Sequence, residues 1–243
     1  MNLIIEQGNS ATKVAVFNQG QMVFSADYKV FEQSSLFQLF GQYPFKNGIF
    51  STVIDVEKEL ITCLENRLAY FFFFDRHVRL PIEVCYQTPD TLGGDRIAVA
   101  VGANFLQPQK DILVIDAGTA ITYEVIEAPG IYLGGNISPG MRTRFNALNR
   151  FTKRLPLVEE RAEVPLIGTS TETAILAGVV NGIVYEMDGF IDELRNKYQG
   201  LYVFLTGGHT FYFEKRLKNI IFANKLLGII GLNRILEYNV EKQ

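Results

Sequence analysis

A nine-residue pattern occurs twice in this chain of 243 residues. Residues 4–12 read IIEQGNSAT and residues 114–122 read VIDAGTAIT. Each copy has an apolar strand, an acid, one variable residue, a glycine, a small polar residue and the start of a second strand. A single acid–glycine turn constrains little, because such residues dominate hairpins in general. Two copies one domain length apart constrain far more. Each opens a three-strand meander that is followed by helices, so the chain reads as a duplicated α/β unit.

The elements around the first copy are strands over residues 2–7, 13–17 and 21–29. Apolar residues at helical spacing follow over 34–42 and 56–68, with a strand over 48–52 between them. A short strand over 82–86 precedes a helix over 96–106, with Asp95 at its N-cap. Around the second copy the strands are 112–115, 120–127 and 131–137. Helices follow over 141–149 and 172–198, then strands over 202–205 and 220–223 and a last helix over 225–238. The boundary between the halves lies near residues 107–111, giving domains of 1–109 and 110–243.

Composition excludes several function classes. Net charge is −3, from 23 Lys+Arg against 26 Asp+Glu, whereas nucleic-acid binders carry a basic bias. The 19 Phe and 11 Tyr supply too much apolar surface for a disordered chain. Residues 1–6 lack the basic region of a secretory signal. No apolar run reaches the roughly 18 residues expected of a membrane span. The greasiest stretch, LAYFFFF over 68–74, ends at Asp75-Arg76-His77. Cys63 and Cys85 have no CxxC spacing, and His77 and His209 lie far apart, which argues against zinc. The expectation is a cytoplasmic protein with no membrane or nucleic-acid partner and two reduced thiols.

The turns carry the chemistry. An acid-x-Gly hairpin suits phosphate, since glycine admits the anion close to the backbone and successive N–H groups form a donor nest. Two of them would grip a triphosphate while their acids hold cations, with Lys13 beside the first turn. Thr91-Leu92-Gly93-Gly94-Asp95-Arg96 leads into a helix, and such a start is an anion site. Asp95 there is either an N-cap or a base beside the clamp of Arg96. The segments GGNISPG over 134–140 and GTSTE over 168–172 are further strand-to-helix or helix-start passages. Thr206-Gly207-Gly208 is either a plain turn or a loop facing a nucleoside.

Taken in order, these motifs resemble the type III pantothenate kinases of the actin/hexokinase/Hsp70/acetate-kinase superfamily. The resemblance rests on residues 6–13, 93–96, 116–122, 134–140, 168–178 and 206–208, spread over nearly the whole chain. It implies two ribonuclease H-like, actin-like ATPase domains with an active-site cleft between them. It implies ATP-dependent phosphorylation of the primary hydroxyl of pantothenate, the first step toward coenzyme A. Asp95 would accept the hydroxyl proton. Tyr86, Gly93, Gly94, Asp95, Arg96 and Thr171 would hold pantothenate, Thr171 from across a homodimer interface. Glu6, Gln7, Gly8, Asn9, Ser10, Ala11, Thr12, Lys13 and Thr119 would bind ATP. Asp116 would bind a monovalent cation, K⁺ or NH₄⁺, and Mg²⁺ would accompany ATP. The family's first motif normally begins with Asp. Here Glu6 reaches one methylene further, which bears on any magnesium contact it makes. Other kinases of the superfamily, and a non-catalytic nucleotide-binding regulator, share most of these motifs. The loop 93–96 carries most of the substrate identity.

Other residues read as structural. These are His77 and His209, the two cysteines, the aromatic run 70–74 as core or dimer contact, and Lys215-Arg216 with Lys218 as the solvated face of a helix.

Overall fold

The computed structural model describes residues 1–8, 11–52, 54, 56–75 and 77–242. The chain divides into two compact units, Met1–Leu106 with Leu226–Gln243, and Gln107–Lys225. These differ from the 1–109 and 110–243 division in two respects, a boundary three residues earlier and the placement of the last helix.

In the first unit, β1 (Asn2–Gln7), β2 (Thr12–Asn18) and β3 (Gln21–Tyr28) form the expected antiparallel meander. α1 (Gln33–Gln42) leads to β4 (Asn47–Thr52), and α2 (Lys58–Arg67) leads to β5 (Tyr70–Phe73). The sheet order is β3-β2-β1-β4-β5, with β4 parallel to β1 and β5 parallel to β4. The aromatic run is therefore an edge strand. Phe71 and Phe73 pack on the core formed by Leu3, Ile5, Leu36, Leu60 and Leu64. Its unbroken aromatic sequence hides the two-residue alternation that marks a strand. A short β6 (Glu83–Val84) precedes α3 (Gly94–Leu106).

The second unit repeats the plan. β7 (Ile112–Ala117), β8 (Ala120–Glu127) and β9 (Ile131–Pro139) are an antiparallel meander, followed by α4 (Met141–Phe151) and α5 (Thr171–Lys197). β10 (Tyr202–Thr206), α6 (Thr210–Glu214) and β11 (Phe222–Ala223) complete it. The strand order within this unit is β9-β8-β7-β10-β11, with β10 parallel to β7 and β11 parallel to β10. The two orders are the same element for element, so the echo in sequence is an echo in topology.

α5 starts at a capping box, in which Ser170 Oγ accepts from Thr173 N–H at 3.2 Å and Thr173 Oγ1 accepts from Ser170 N–H at 2.9 Å. By length and composition α5 is apolar enough to cross a membrane, contrary to the reading of residues 1–243 as lacking such a run. Half of its apolar window is buried within the protein. Ile175, Val179, Val180, Ile183, Met187 and Ile191 pack with Leu113 and Ile115 of β7 and with Met141 and Phe145 of α4. Each aliphatic side chain buried this way contributes about 1.5–3 kcal/mol.

α7 (Leu227–Val240) belongs to the first unit because two glycines let it meet α3 at backbone distance. A Cβ on Gly102 would collide with the Leu227 carbonyl, and one on Gly231 with the Ala98 carbonyl. Asn2 Nδ2 donates to the buried Asn233 Oδ1 at 3.0 Å, tying α7 to β1. Gly231→Ala should force the two helices apart and destabilise the protein by about 1–3 kcal/mol, the usual range for overpacking. Urea denaturation checks this, and an unchanged midpoint would show that the close approach is not needed.

Candidate active site

In the first unit the turn after β1 is closed by Gly8 N–H donating to the Ala11 carbonyl at 3.0 Å. Glu6 lies opposite Lys13 in the β1–β2 register, and their side chains form an ion pair of 3.5 Å. Both groups are partly solvated, so the pair contributes about 0–1 kcal/mol and chiefly fixes direction. Gln7 Oε1 accepts from Thr52 Oγ1 at 3.3 Å, which holds the end of β1 to the end of β4. Asn9 and Ser10, expected in this turn, lie outside the described residues.

α3 begins at Gly94, so Asp95 is the second helical residue and not the N-cap. Its Oδ1 accepts from the N–H of Arg96 at 2.9 Å, and the Ile97 N–H donates to the Gly93 carbonyl at 3.3 Å. Gly94 is small enough to lie against the Phe74 ring and Ser51. Asp95 is exposed, whereas Arg96 is buried. The Arg96 guanidinium lies 5.5 Å from the centre of the Tyr86 ring. The structure therefore brings Tyr86, Gly93, Gly94, Asp95 and Arg96 into one neighbourhood. A carboxylate, a stacked guanidinium and the positive end of a helix stand together there, a set suited to a polar acceptor substrate.

In the second unit the equivalent turn is one residue shorter, closed by Gly118 N–H donating to the Ala120 carbonyl at 3.0 Å. The Thr119 side chain is exposed. The Thr119 carbonyl accepts from Gly140 N–H at 3.0 Å and from Thr143 Oγ1 at 2.7 Å. Asp116 is half-buried at the end of β7. Gly207, at φ +93°, lies against its carboxylate, and a Cβ there would occupy the space of Oδ1. Thr171 is the first residue of α5 and lines an apolar cavity of 720 Å³ with Arg144, Leu148, Ile175 and Val179.

Sequence reasoning missed the role of His209. Its N–H donates to the Ala117 carbonyl at 3.0 Å, and its Nε2 lies 3.2 Å from Glu160 Oε2. The loop after β10 is thereby fastened to the residue next to Asp116. No local signal announces this, because the partners are far away in sequence. Lys215, Arg216 and Lys218 lie beyond α6 rather than on a helix face. Arg216 stacks over Tyr212 at 3.8 Å, and Lys218 pairs with Asp192 at 2.7 Å.

Among the described residues no group of three His, Cys, Asp or Glu side chains is placed to hold a metal. Mg²⁺ that travels with a nucleotide keeps its waters and needs only one or two carboxylates beside the phosphates. The half-buried Asp116 carboxylate is a hard oxygen donor, the kind an alkali or ammonium cation takes. Glu6, by contrast, already faces Lys13.

The family model for type III pantothenate kinase matches residues 2–193. The chain is 49% identical to the type III pantothenate kinase of Phocaeicola vulgatus, over 98% of this chain and 99% of that protein. It is 41% identical to that of Cytophaga hutchinsonii, over 99% of this chain and 100% of that protein. A solved structure of a Campylobacter jejuni protein assigned to the Baf family of transcriptional activators superposes with TM-score 0.60. It is 22% identical and covers 98% of this chain and 99% of its own. The ROK hexokinase of Thermus thermophilus superposes with TM-score 0.54 at 11% identity, covering 97% and 98%. These structures show the fold, the actin-like ATPase architecture, while the sequence matches show the lineage. The chain belongs to the type III pantothenate kinases.

Proposed function

We propose the following division of labour for the reaction of this family, transfer of the γ-phosphoryl group of ATP to the primary hydroxyl of pantothenate, which commits it to coenzyme A synthesis. The observation that carries it is the exposed Asp95 carboxylate at the start of α3, beside an Arg96 stacked on Tyr86. Tyr86, Gly93, Gly94 and Arg96 bind pantothenate and orient its hydroxyl toward Asp95. The hydroxyl oxygen bonds to the γ-phosphorus as the bridging bond to the β-phosphate breaks, and ADP leaves with that bridging oxygen. The hydroxyl proton passes to the Asp95 carboxylate. Because the transition state is loose, the proton leaves late and position counts for more than basicity.

The two acid–glycine turns receive the nucleotide phosphates, residues 6–13 from the first and Thr119 from the second. Their backbone N–H groups are fixed donors that need no reorganisation as charge shifts. Mg²⁺ bound with ATP supplies charge neutralisation on the β- and γ-phosphates. Asp116 holds the monovalent cation. The chain works as a cytoplasmic homodimer in which Thr171 meets the partner's substrate. Phe151, Leu166 and Ile167 support this, being large apolar side chains 82%, 75% and 76% exposed on the second unit. The free thiols of Cys63 and Cys85 accord with a reducing compartment.

Asp95→Asn should keep the fold and ATP binding and slow turnover by about 10²–10⁴-fold, the span of general acid–base groups. A coupled ADP-release assay reads this, and near-normal turnover removes Asp95 as the base. Replacing K⁺ by Na⁺ should lower turnover of the native enzyme but make little difference to Asp116→Asn. A K⁺ requirement that survives in Asp116→Asn places the cation elsewhere. Sedimentation equilibrium at micromolar concentration should give the mass of two chains, and a single-chain mass rules out the shared site.

A further inference from the structure

The proposed reaction leaves unused the best-satisfied ion pair of the second unit. Glu186 lies on α5, and its Oε2 accepts from Arg144 Nη2 at 2.6 Å. Its Oε1 accepts from Ser138 Oγ at 2.6 Å and from Tyr123 Oη at 2.7 Å. Burial alone would raise the Glu186 carboxyl. The hydrogen bonds from Ser138, Arg144 and Tyr123 outweigh it and hold the carboxyl below its ordinary range. Burial and the Glu186 charge push the Tyr123 phenol up, so it stays a donor.

The pair does not end at α5. Arg144 Nε also donates to the Pro139 carbonyl at 2.7 Å, and Nη2 reaches Ser138 Oγ at 3.2 Å. Ser138 and Pro139 are the last residues of β9, and Arg144 lies on α4. The next residue, Gly140, donates its N–H to the Thr119 carbonyl, which Thr143 Oγ1 also holds. Gly140 has no room for a side chain, since a Cβ would strike the carbonyls of Gly118 and Thr119. Polar contacts joined by the Pro139–Gly140 peptide bond thus run from α5 to the Thr119 turn. With its carbonyl held twice, the planar Thr119–Ala120 peptide keeps one orientation.

We infer that Glu186 is a positioning residue for phosphoryl transfer: acting through Arg144, Ser138 and the β9–α4 turn, it holds the Thr119 peptide in the orientation that meets the nucleotide. The inference rests on the reading of Thr119 as a phosphate contact. Thr143 is the last link in the same series. The alternative is that Glu186 only fastens α5 to the sheet, in which case stability alone depends on it.

Steady-state kinetics on the full-length enzyme separates these. Glu186→Gln, Thr143→Val, their double variant and Thr119→Ala are assayed with ATP and with pantothenate varied in turn, and thermal melts are recorded for each. Glu186→Gln should raise the KM for ATP by about two- to thirty-fold, the effect of losing 0.5–2 kcal/mol of coupling, and leave that for pantothenate unchanged. The double variant should be no worse than the more affected single variant, since residues in one series do not add. A Glu186→Gln enzyme with a lower melting temperature but normal KM for ATP overturns the inference, as do additive effects in the double variant. Thr119→Ala guards the premise. If it leaves the KM for ATP unchanged, the phosphate reading of Thr119 falls and the inference with it. If it raises that KM while Glu186→Gln does not, the reading stands and the inference alone fails.

Discussion

The rest of the structure depends on one short hydrogen bond made twice, from the glycine N–H of the first hairpin turn to a carbonyl two or three residues on. Gly8 donates to Ala11 and Gly118 to Ala120, both at 3.0 Å. Each bond turns the chain back while the first strand stays buried in the centre of its sheet. The register that follows puts an acid at the open end of that strand, Glu6 opposite Lys13 and Asp116 opposite Thr122. With β1 and β7 placed, the parallel partners β4 and β10 can pair only on their remaining edges. Loops at the carboxyl ends of such strands are where ligands bind in open α/β sheets. The turn therefore settles the topology.

Close backbone approach is the second constraint, and glycine serves it in both units. Gly102 and Gly231 let α7 lie on α3, and Gly140 and Gly207 let loops close around the Thr119 and Asp116 turn. In the first case the result is packing. In the second it is a turn whose carbonyls and carboxylate are closely packed by neighbouring backbone. The difference lies in what the glycine faces: a helix backbone, or a turn that carries a carboxylate.

Several polar groups are held still on this frame. Arg96 is buried yet stacks on Tyr86, so its position does not depend on a flexible chain. His209 secures the loop after β10 to Ala117. Glu186 and Arg144 secure the end of β9. Phosphoryl transfer rewards this kind of order, since its catalysis is mostly positioning and charge.

The sequence by itself determined the duplication, the two meanders, most helices and the glycine loop 93–96 at a helix start, because these follow from local periodicity, turn chemistry and a repeat, while the place of Tyr86 beside that loop came from the family resemblance. It also determined the family, through short motifs in a fixed order. It did not determine that Tyr70–Phe73 is an edge strand, because uninterrupted aromatics carry no alternation. Only the tertiary structure decided that Leu226–Gln243 joins the first unit, since the glycine pair that permits it is separated by more than half the chain. It alone decided that Asp95 lies inside the helix, a matter of one backbone hydrogen bond at the terminus. The partners of Glu186 and His209 were likewise decided there. A side chain's hydrogen-bond partner is a property of three-dimensional proximity, and residues 42 and 49 positions apart leave no trace of it in the order of the amino acids.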